Sequence, residues 1–214
     1  MKKVFWNNPY QKTLITRVTS VEGNTVLFDA TIAYSFAGGQ ESDRAYVNGI
    51  EVIASRREDS LIYYVLPEGH GLSVGDIVTM VIDWQRRYRL MRLHFAAELI
   101  LEIVVQKYGF VKIGAHIAEH KARIDFVADK NISSLLPEIV TDFDAIVNKD
   151  ASIYTGFTDE IAQRRFWEID GFAQVSCGGT HVKSSGEAGR VRLKREHPGK
   201  SVERIEIRLV DSQD

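Results

Sequence analysis

The hydrophobic pattern of the chain changes abruptly at Asp83, and this change constrains the fold more than any other feature. Residues 1–83 consist of short segments that alternate apolar and polar side chains, separated by turns. "TRVTSVEGNTVLFD" alternates around Gly23 and "AYVNGIEVI" around Gly49, and both are typical of β-hairpins. Many short strands without a helical period predict a small barrel or sandwich, and we expect a small β-barrel domain over residues 1–83.

Residues 84–214 carry a different pattern, which predicts an α+β domain with an antiparallel sheet and flanking helices. Asp83 can cap a helix that runs to about Tyr108, where Gly109 is a good stop. Further helices are expected in "SSLLPEIVTDFDAIVNKD" and, shorter, in "TDEIAQRRF". Strands are expected in "FVKIGAHIAEHKARIDFVAD", as two strands with a turn, and in "FAQVS", "GRVRLKRE" and "RIEIRLV".

Composition and charge are those of an ordinary globular protein of 214 residues. A net charge of −2 argues against a uniformly basic coat for nucleic acid, although it is compatible with a local basic face. Cys177 is the single cysteine, so an intrachain disulfide is excluded and a reducing compartment is favoured. The N-terminus has no signal-peptide core, and no apolar run is long enough to span a bilayer. We therefore expect a cytoplasmic protein with no membrane partner; the sequence does not determine the oligomeric state.

Two stretches each place two candidate metal ligands four residues apart. "HFAAE" offers His94 and Glu98 on an otherwise apolar face of the predicted helix, which indicates either a metal site or a simple histidine–glutamate contact. "CGGTH" offers Cys177 and His181 after a predicted strand, with two glycines that let the backbone turn tightly. Zinc accepts cysteine, histidine and carboxylate ligands in a tetrahedron, whereas the alternative is a buried free cysteine beside a glycine turn.

A second histidine pair has the same spacing but a different local structure. His116 and His120, in "HIAEH", lie where two strands and a turn are predicted. A turn would not keep the two imidazoles on one helix face, so this pair is a weak candidate for a metal. His116 could still reach a pocket as a polar contact.

Several segments resemble the alanyl-tRNA editing proteins of the AlaX type, which are free-standing relatives of the editing domain of alanyl-tRNA synthetase. They are "DWQRRYRLMRLHFAAELI", "KARIDF", "RFWEIDGFAQVSCGGTHVKSSGEAGRVRLKRE" and "ERIEI". "FAGGQESD" resembles the glycine-rich motif that this family carries in a preceding β-barrel. The resemblance covers nearly the whole chain, and its most specific part is CGGTH with the SxGE motif and basic strand that follow.

The resemblance implies a trans-editing hydrolase that removes serine or glycine from mischarged alanine tRNA, with one Zn²⁺ per chain. The family's ligands are two histidines four apart, then a cysteine and a histidine four apart. His94, Cys177 and His181 match this pattern, whereas Glu98 stands where the family has its second histidine. Ala37 also replaces a usual glycine of the glycine motif. These departures leave an alternative, a degenerate tRNA- or metal-binding relative without editing activity.

Hydrolysis of an aminoacyl ester needs a positioned water, a stabilised oxyanion and a pocket for the amino acid. The backbone N–H groups of Gly178 and Gly179 are candidate oxyanion donors. The Thr180 hydroxyl could orient water or substrate, or could simply bond its own backbone in a turn. A closed set of four protein ligands would favour a positioning role for zinc over water activation. The candidate substrate contacts are the glycine motif with nearby polar residues, namely Gly38, Gly39, Gln40, Asp43 and His116.

Cationic side chains indicate where tRNA phosphates would bind. The predicted helix begins with a basic stretch that includes Arg86 and Arg87. Residues 181–208 contain eight Lys or Arg and four Glu, hence a local net charge of +4. A solvated strand face is the alternative explanation for this stretch. We expect the acceptor end of mischarged alanine tRNA as the partner, and no DNA, with these further candidate contacts: Lys183, Arg192, Lys194 and Arg195.

Overall fold

The computed structural model describes residues 1–199 and 201–210. Lys200, one cation of the basic stretch, lies outside the described residues. The chain separates into two compact units, Met1–Ala37 with Glu41–Tyr88, and Gly38–Gln40 with Arg89–Asp214. The glycine-rich segment therefore belongs to the second unit, although its neighbours on both sides in sequence belong to the first. The division into two domains at Asp83 stays a prediction.

The first unit consists mainly of β-structure. Its elements are β1 (Lys2–Lys3), α1 (Val4–Asn7), β2 (Thr13–Glu22), β3 (Thr25–Phe28), β4 (Ala30–Thr31), β5 (Ala45–Val47), β6 (Ile50–Glu51), β7 (Ala54–Glu58), β8 (Leu61–Val65) and β9 (Ile77–Ile82). Seven of these strands form one antiparallel sheet in the order β6-β5-β9-β2-β3-β8-β7. The short strands β1 and β4 pair in parallel.

Both predicted hairpins are present in this sheet. Gly23 (φ 59°) and Gly49 (φ 82°) adopt the left-handed backbone that glycine allows, and the strands on either side of each turn pair directly. Alternation along the strands buries one face, which includes Val26, Phe28 and Tyr64. The strand order is that of an open half-barrel, so a closed barrel stays a prediction.

The second unit mixes helices with antiparallel sheets. α2 (Trp84–Tyr108) begins in the first unit and continues into the second, and it is followed by β10 (Val111–Ile117), β11 (Ala122–Val127), α3 (Leu136–Asn148), β12 (Tyr154–Asp159), β13 (Arg164–Ile169), β14 (Ala173–Ser176), β15 (Val191–Gly199) and β16 (Val202–Leu209). Short 3-10 helices lie at Ser133–Leu135 and Ser185–Ala188. The sheets have the orders β10-β11-β16-β15 and β12-β13-β14, and both are antiparallel. The α+β class is therefore confirmed.

The long helix α2 begins and ends where the sequence predicts. The Asp83 carboxylate accepts a hydrogen bond from the Arg86 N–H at 3.1 Å, and Gly109 follows the last turn with φ 68°. In its middle, the five residues from Leu93 to Ala97 are all buried. His94, the one polar residue of this segment, therefore lies in the core. In the described part of the chain, no helix is long and apolar enough to cross a membrane.

The short helix predicted in "TDEIAQRRF" is wrong, because these residues form the end of β12, a turn and the start of β13. The Asp159 carboxylate accepts a hydrogen bond from the Ala162 N–H at 2.9 Å and so closes the turn. β13 then buries every second side chain, Arg165, Trp167 and Ile169. This period of two favours a strand, and it outweighs the helical propensity of the polar turn.

Arg87 and Asp43 form a fully buried ion pair inside the first unit, which corrects the roles predicted for both. Neither side chain is exposed to solvent. The guanidinium also donates to the carbonyl oxygens of Pro9 at 2.9 Å and Ile32 at 2.6 Å, and the carboxylate accepts from the Tyr34 N–H at 2.6 Å. Arg87 therefore presents no surface to a tRNA phosphate, and Asp43 presents none to a substrate; both hold the first unit together.

Breaking this ion pair should destabilise the protein severely. Arg87→Met leaves the Asp43 carboxylate buried without its cation, which we expect to cost about 3–5 kcal/mol of unfolding free energy. Arg44→Ala is the matched control, because Arg44 is half exposed and its ion pair with Asp83 is solvated, so its loss should cost less than about 1 kcal/mol. Urea unfolding followed by circular dichroism measures both, and equal costs would contradict the structural role of Arg87.

Candidate metal centre

Three of the predicted metal ligands, His94, Cys177 and His181, come together in the second unit. Their ligand atoms all lie within 4.8 Å of one another. The Cys177 Sγ lies 3.5 Å from the His94 Nε2, and the two imidazole rings stack with centroids 5.0 Å apart. His94 comes from the buried middle of α2, and the other two come from the loop after β14. The helix thus brings His94, and the CxxxH loop brings Cys177 and His181, to one place, as the sequence predicts.

This set of donors fits a metal ion such as zinc. The His181 Nε2 is buried without a hydrogen-bond partner among the described residues, and so is the His94 Nδ1. A buried polar nitrogen without a partner is costly and calls for a further group that binds it. One thiolate and two imidazoles are ligands that zinc binds well. An ion among the three side chains would give the His181 Nε2 a partner that none of the described residues supplies.

The electrostatics of the centre favour a charged sulfur. Burial would raise the pKa of the Cys177 thiol, but the neighbouring His94 and His181 outweigh it and lower this pKa to about 6. Burial would likewise lower the pKa of His94, but the Cys177 thiolate and then Glu98 raise it to about 10. Both shifts favour a thiolate beside a protonated imidazole when no metal is bound. A metal ion would take the place of the proton on the imidazole.

Glu98 lies beside the three ligands but does not belong to their mutually close set. Its Oε1 lies 3.5 Å from the His94 Nε2, and its Oε2 accepts a hydrogen bond from the Trp167 Nε1 at 3.1 Å. Burial would raise the pKa of the Glu98 carboxyl, but the hydrogen bond and charge of His94 lower it to about 2. The role of Glu98 as a fourth ligand stays a prediction.

The buried face of β13 supplies two contacts that the sequence did not reveal. Trp167 binds Glu98, and Arg165 lies next to Cys177, whose N–H donates to the Arg165 carbonyl oxygen at 2.9 Å. The Arg165 guanidinium lies over the Phe157 ring at 5.0 Å, and burial lowers its pKa to about 10. The alternation of polar and apolar residues in "RFWEID" indicates a strand. The helix predicted for "TDEIAQRRF" overlaps the start of this strand and is incompatible with that alternation.

The glycine motif reaches the metal-binding loop through Gln40. This side chain is fully buried; its Nε2 donates to the Thr180 Oγ1 at 2.9 Å, and its Oε1 accepts from the Thr180 N–H at 3.2 Å. The Thr180 hydroxyl thus bonds Gln40, in contrast to the turn bond considered from the sequence. The Gly39 carbonyl accepts from the Ile117 N–H at 2.8 Å, and a Cβ on Gly39 would lie 2.6 Å from the Ala115 oxygen. Only glycine fits this close backbone approach.

The two glycines of CGGTH have different surroundings. A Cβ on Gly179 would lie 2.1 Å from the His94 Cε1, 2.6 Å from its Nδ1 and 2.9 Å from the Gln40 Oε1. A Cβ on Gly178 would meet nothing within 4 Å. The imidazole of His94 therefore occupies the space that any side chain at position 179 would need. The predicted oxyanion roles of both backbone N–H groups stay predictions.

The second histidine pair does not form a helical ligand pair, as expected. His116 lies in β10 opposite Arg123, whereas His120 is exposed in the turn before β11. The Cα of His116 lies 3.7 Å from the position of a Cβ on Gly39, so His116 adjoins the glycine motif. A contact between the His116 side chain and substrate stays a prediction, as it does for Gly38.

The cations predicted on β15 lie on two faces. Arg192 and Lys194 are exposed on one face, and Lys194 lies opposite Glu206 of β16. Arg195 points to the other face, where its guanidinium binds the buried carboxylate of Glu203. Because strand residues alternate between faces, one flat partner cannot contact all three cations. Arg192 and Lys194 are the two that a phosphate backbone can reach together.

Two further predicted tRNA contacts differ in accessibility. Lys183 is exposed in the loop that follows His181. Arg86 has only 16% of its side chain exposed, and it donates to the Glu41 carboxylate at 2.8 Å and to the Ser42 carbonyl oxygen at 3.1 Å. Arg86 therefore has local partners that a phosphate would have to replace, whereas Lys183 lies where a phosphate can approach it from solvent.

Comparison with known proteins finds relatives that match most of the chain. Residues 166–206 match the family described as threonyl and alanyl tRNA synthetase second additional domain. The chain is 31% identical over 213 residues to alanyl-tRNA editing protein AlaX-M of Pyrococcus horikoshii, with 97% of both chains covered. It is 32% identical to the AlaX-M protein of Methanosarcina barkeri, covering 87% of this chain and 89% of that one. A 28% identical match to alanine–tRNA ligase of Sulfurisphaera tokodaii covers 90% of this chain and 24% of the ligase.

Substitution of the two glycines tests how tightly the centre is built. Gly179→Ala should displace the His94 ring and weaken Zn²⁺ binding by about 10- to 100-fold, on the order of losses seen when groups that orient ligands are changed. Gly178→Ala, one residue away in open space, should leave the affinity unchanged. Competition with a chromophoric chelator measures both affinities. Equal binding by the two variants would contradict the placement of His94 against Gly179.

Proposed function

Since the chain belongs to the AlaX-M family of alanyl-tRNA editing proteins, we propose that it hydrolyses the ester of alanine tRNA mischarged with serine or glycine. The observation that carries this proposal is the convergence of three buried or half-buried side chains, His94, Cys177 and His181, with the glycine motif in one unit. In trans editing, the protein would act in the cytoplasm on tRNA that the synthetase has already released. The single cysteine, used here as a ligand, agrees with a reducing compartment.

One zinc ion held by His94, Cys177 and His181 completes the proposal, with Glu98 either as a fourth ligand or beside the ion. When bound, zinc supplies Lewis acidity or a fixed point for the reacting end of the substrate. The backbone N–H groups of Gly178 and Gly179 would bind the negative charge that develops on the ester oxygen. Because an aminoacyl ester is already reactive, correct positioning supplies much of the required rate.

The glycine motif would form one wall of the amino-acid pocket. Gln40 holds the Thr180 hydroxyl and N–H together, which fixes that hydroxyl in the wall beside the ligands. The backbone of Gly39 lies against β10 close to His116. In this proposal, Gly38, Gly39 and His116 would limit the size of the bound amino acid. We include in this proposal a β-barrel domain over residues 1–83 that contributes to specificity and an editing domain over residues 84–214.

The acceptor end of the tRNA would lie along the cationic face of β15. Arg192 and Lys194 are exposed on this face, and Lys183 is exposed in the loop between the ligand His181 and the strand. This path joins the basic strand to the metal centre within one unit. Contact between Arg86 and a phosphate would require the phosphate to replace the local partners of Arg86.

A degenerate relative that binds tRNA without editing is the competing function. The observation that favours it is Glu98, a carboxylate at the position where the family has an imidazole. Against it stands the close approach of the other three ligands, which are buried or half-buried and mutually close. The two functions differ in turnover of mischarged tRNA.

Deacylation of charged tRNA decides between these functions. We expect purified protein to release serine or glycine from mischarged alanine tRNA, and to leave the correctly charged alanine tRNA intact. Cys177→Ala should reduce the rate by about 100-fold or more, because it removes a ligand and misplaces the reacting end. Arg44→Ala, whose side chain is half exposed and has no role in the proposed site, is the control. Binding of mischarged tRNA with no turnover would instead support the degenerate relative.

Salt dependence of tRNA binding tests the proposed surface. The double variant Arg192→Ala/Lys194→Ala lacks two cations, so it should bind tRNA more weakly. The slope of log K against the logarithm of the salt concentration should fall by about 1 for each phosphate that is no longer neutralised. Arg56→Ala/Arg57→Ala removes the same charge from exposed positions on β7 and should leave the slope unchanged. If both double variants behave alike, β15 is not the tRNA surface.

A further inference from the structure

The spacing of donors separates Glu98 from the other three side chains. Zinc bonds to nitrogen, oxygen and sulfur are about 2.0–2.3 Å long, so two ligands of one ion lie at most about 4.6 Å apart. His94, Cys177 and His181 nearly satisfy this limit, since their ligand atoms lie within 4.8 Å of one another. Glu98 lies 3.5 Å from the His94 Nε2 but is outside the mutually close set. It therefore adjoins one ligand without facing all three.

Trp167 holds the Glu98 carboxylate in this place. The indole N–H donates to the Glu98 Oε2 at 3.1 Å, and Trp167 is fully buried. Its ring packs edge-on against Phe95, with centroids 5.2 Å apart, and its backbone is paired on both sides, opposite Thr155 and Val175. A buried indole N–H that loses its acceptor is costly. The oxygen that faces His94 is Oε1, and it lies outside the mutually close set. Moving Oε1 towards an ion shared by the three side chains would move Oε2 with it and strain the hydrogen bond from Trp167.

We propose that Glu98 is a positioning residue held by Trp167 beside the metal centre, so that the ion has three protein ligands and one position open to a small external ligand. The inference depends on the metal assignment made under the proposed function. With one thiolate and two neutral imidazoles, the centre keeps one positive charge, which a carboxylate ligand would cancel. Three protein ligands with an open position are typical of catalytic zinc, whereas four are typical of structural zinc.

Replacement of zinc by Co²⁺ makes the open position visible. We expect wild-type protein loaded with Co²⁺ to show visible absorption bands that shift in a saturable way on titration with azide. Glu98→Gln keeps an oxygen near the Trp167 N–H, so it should bind Co²⁺ within about 100-fold of wild type and keep its azide response. Cys177→Ala removes a ligand, so its loss of Co²⁺ affinity is the reference against which the loss in Glu98→Gln is compared.

Three results of this titration would overturn the inference. One is a wild-type Co²⁺ spectrum that azide does not change, which indicates a closed set of four ligands. Another is a loss of Co²⁺ affinity in Glu98→Gln as large as that in Cys177→Ala. The last is a wild-type protein that binds no Co²⁺.

Substitution of Trp167 tests the cause of this arrangement. Trp167→Phe keeps an aromatic ring but removes the N–H, so the Glu98 carboxylate can turn to the ion and the azide response should weaken at least several-fold. Adding Glu98→Gln to Trp167→Phe should restore the response. Trp84→Phe, at the start of α2, is the control and should respond as wild type does. An undiminished azide response in folded Trp167→Phe protein would overturn the role of Trp167, and the Glu98→Gln titration decides the ligand number even if Trp167→Phe does not fold.

The deacylation assay separates failure of this inference from failure of the proposed function. If wild-type protein hydrolyses mischarged tRNA but its Co²⁺ spectrum does not respond to azide, the proposed function holds and the open position is wrong. If the Co²⁺ spectrum responds to azide but the protein hydrolyses no mischarged tRNA, the open position holds and the proposed function is wrong.

Discussion

The burial of one imidazole in the middle of a helix is the constraint on which the candidate site depends. α2 is enclosed on every side from Leu93 to Ala97, and His94 lies inside this apolar segment. A polar ring in such a place must find partners nearby, because burying it alone is costly. The loop after β14 supplies them as Cys177 and His181. The His94 ring cannot reach solvent, so its polar partners must come to it. The loop that carries them is therefore packed against the middle of α2.

The glycine motif and the metal-binding loop are mutually dependent. Gly179 must lack a side chain because the His94 ring occupies that space, and Gly39 must lack one because the β10 backbone does. Between these two close approaches, the Gln40 amide bonds both polar groups of Thr180. The motif therefore belongs to the same unit as the loop, despite its place in the sequence among the strands of the other unit. Small residues at two positions and one buried amide account for this arrangement.

Local spacing made three of the ligands predictable, because His94 lies on an apolar helix face and CxxxH brings its two ends together. The alternation of β15 could also have placed Arg195 on the opposite face from Arg192 and Lys194, since that strand was predicted correctly. The partners of buried charges could not be predicted in the same way. Arg87 and Asp43 look like ordinary surface charges in sequence, yet their positions 44 residues apart meet in the core. Long-range pairs of this kind depend on how the helices and strands pack together. Local patterns in one sequence do not show which distant residues will meet.

A glutamate at position 98 does not by itself dismantle the centre, because the other three donors are held by separate contacts. His94 is fixed by the enclosed segment of α2. Cys177 is fixed by the pairing of its N–H with β13, and the His181 ring packs edge-on against Phe95 with centroids 6.2 Å apart. None of these contacts involves Glu98. The arrangement of these three donors is therefore built by the rest of the unit and does not depend on the side chain at position 98.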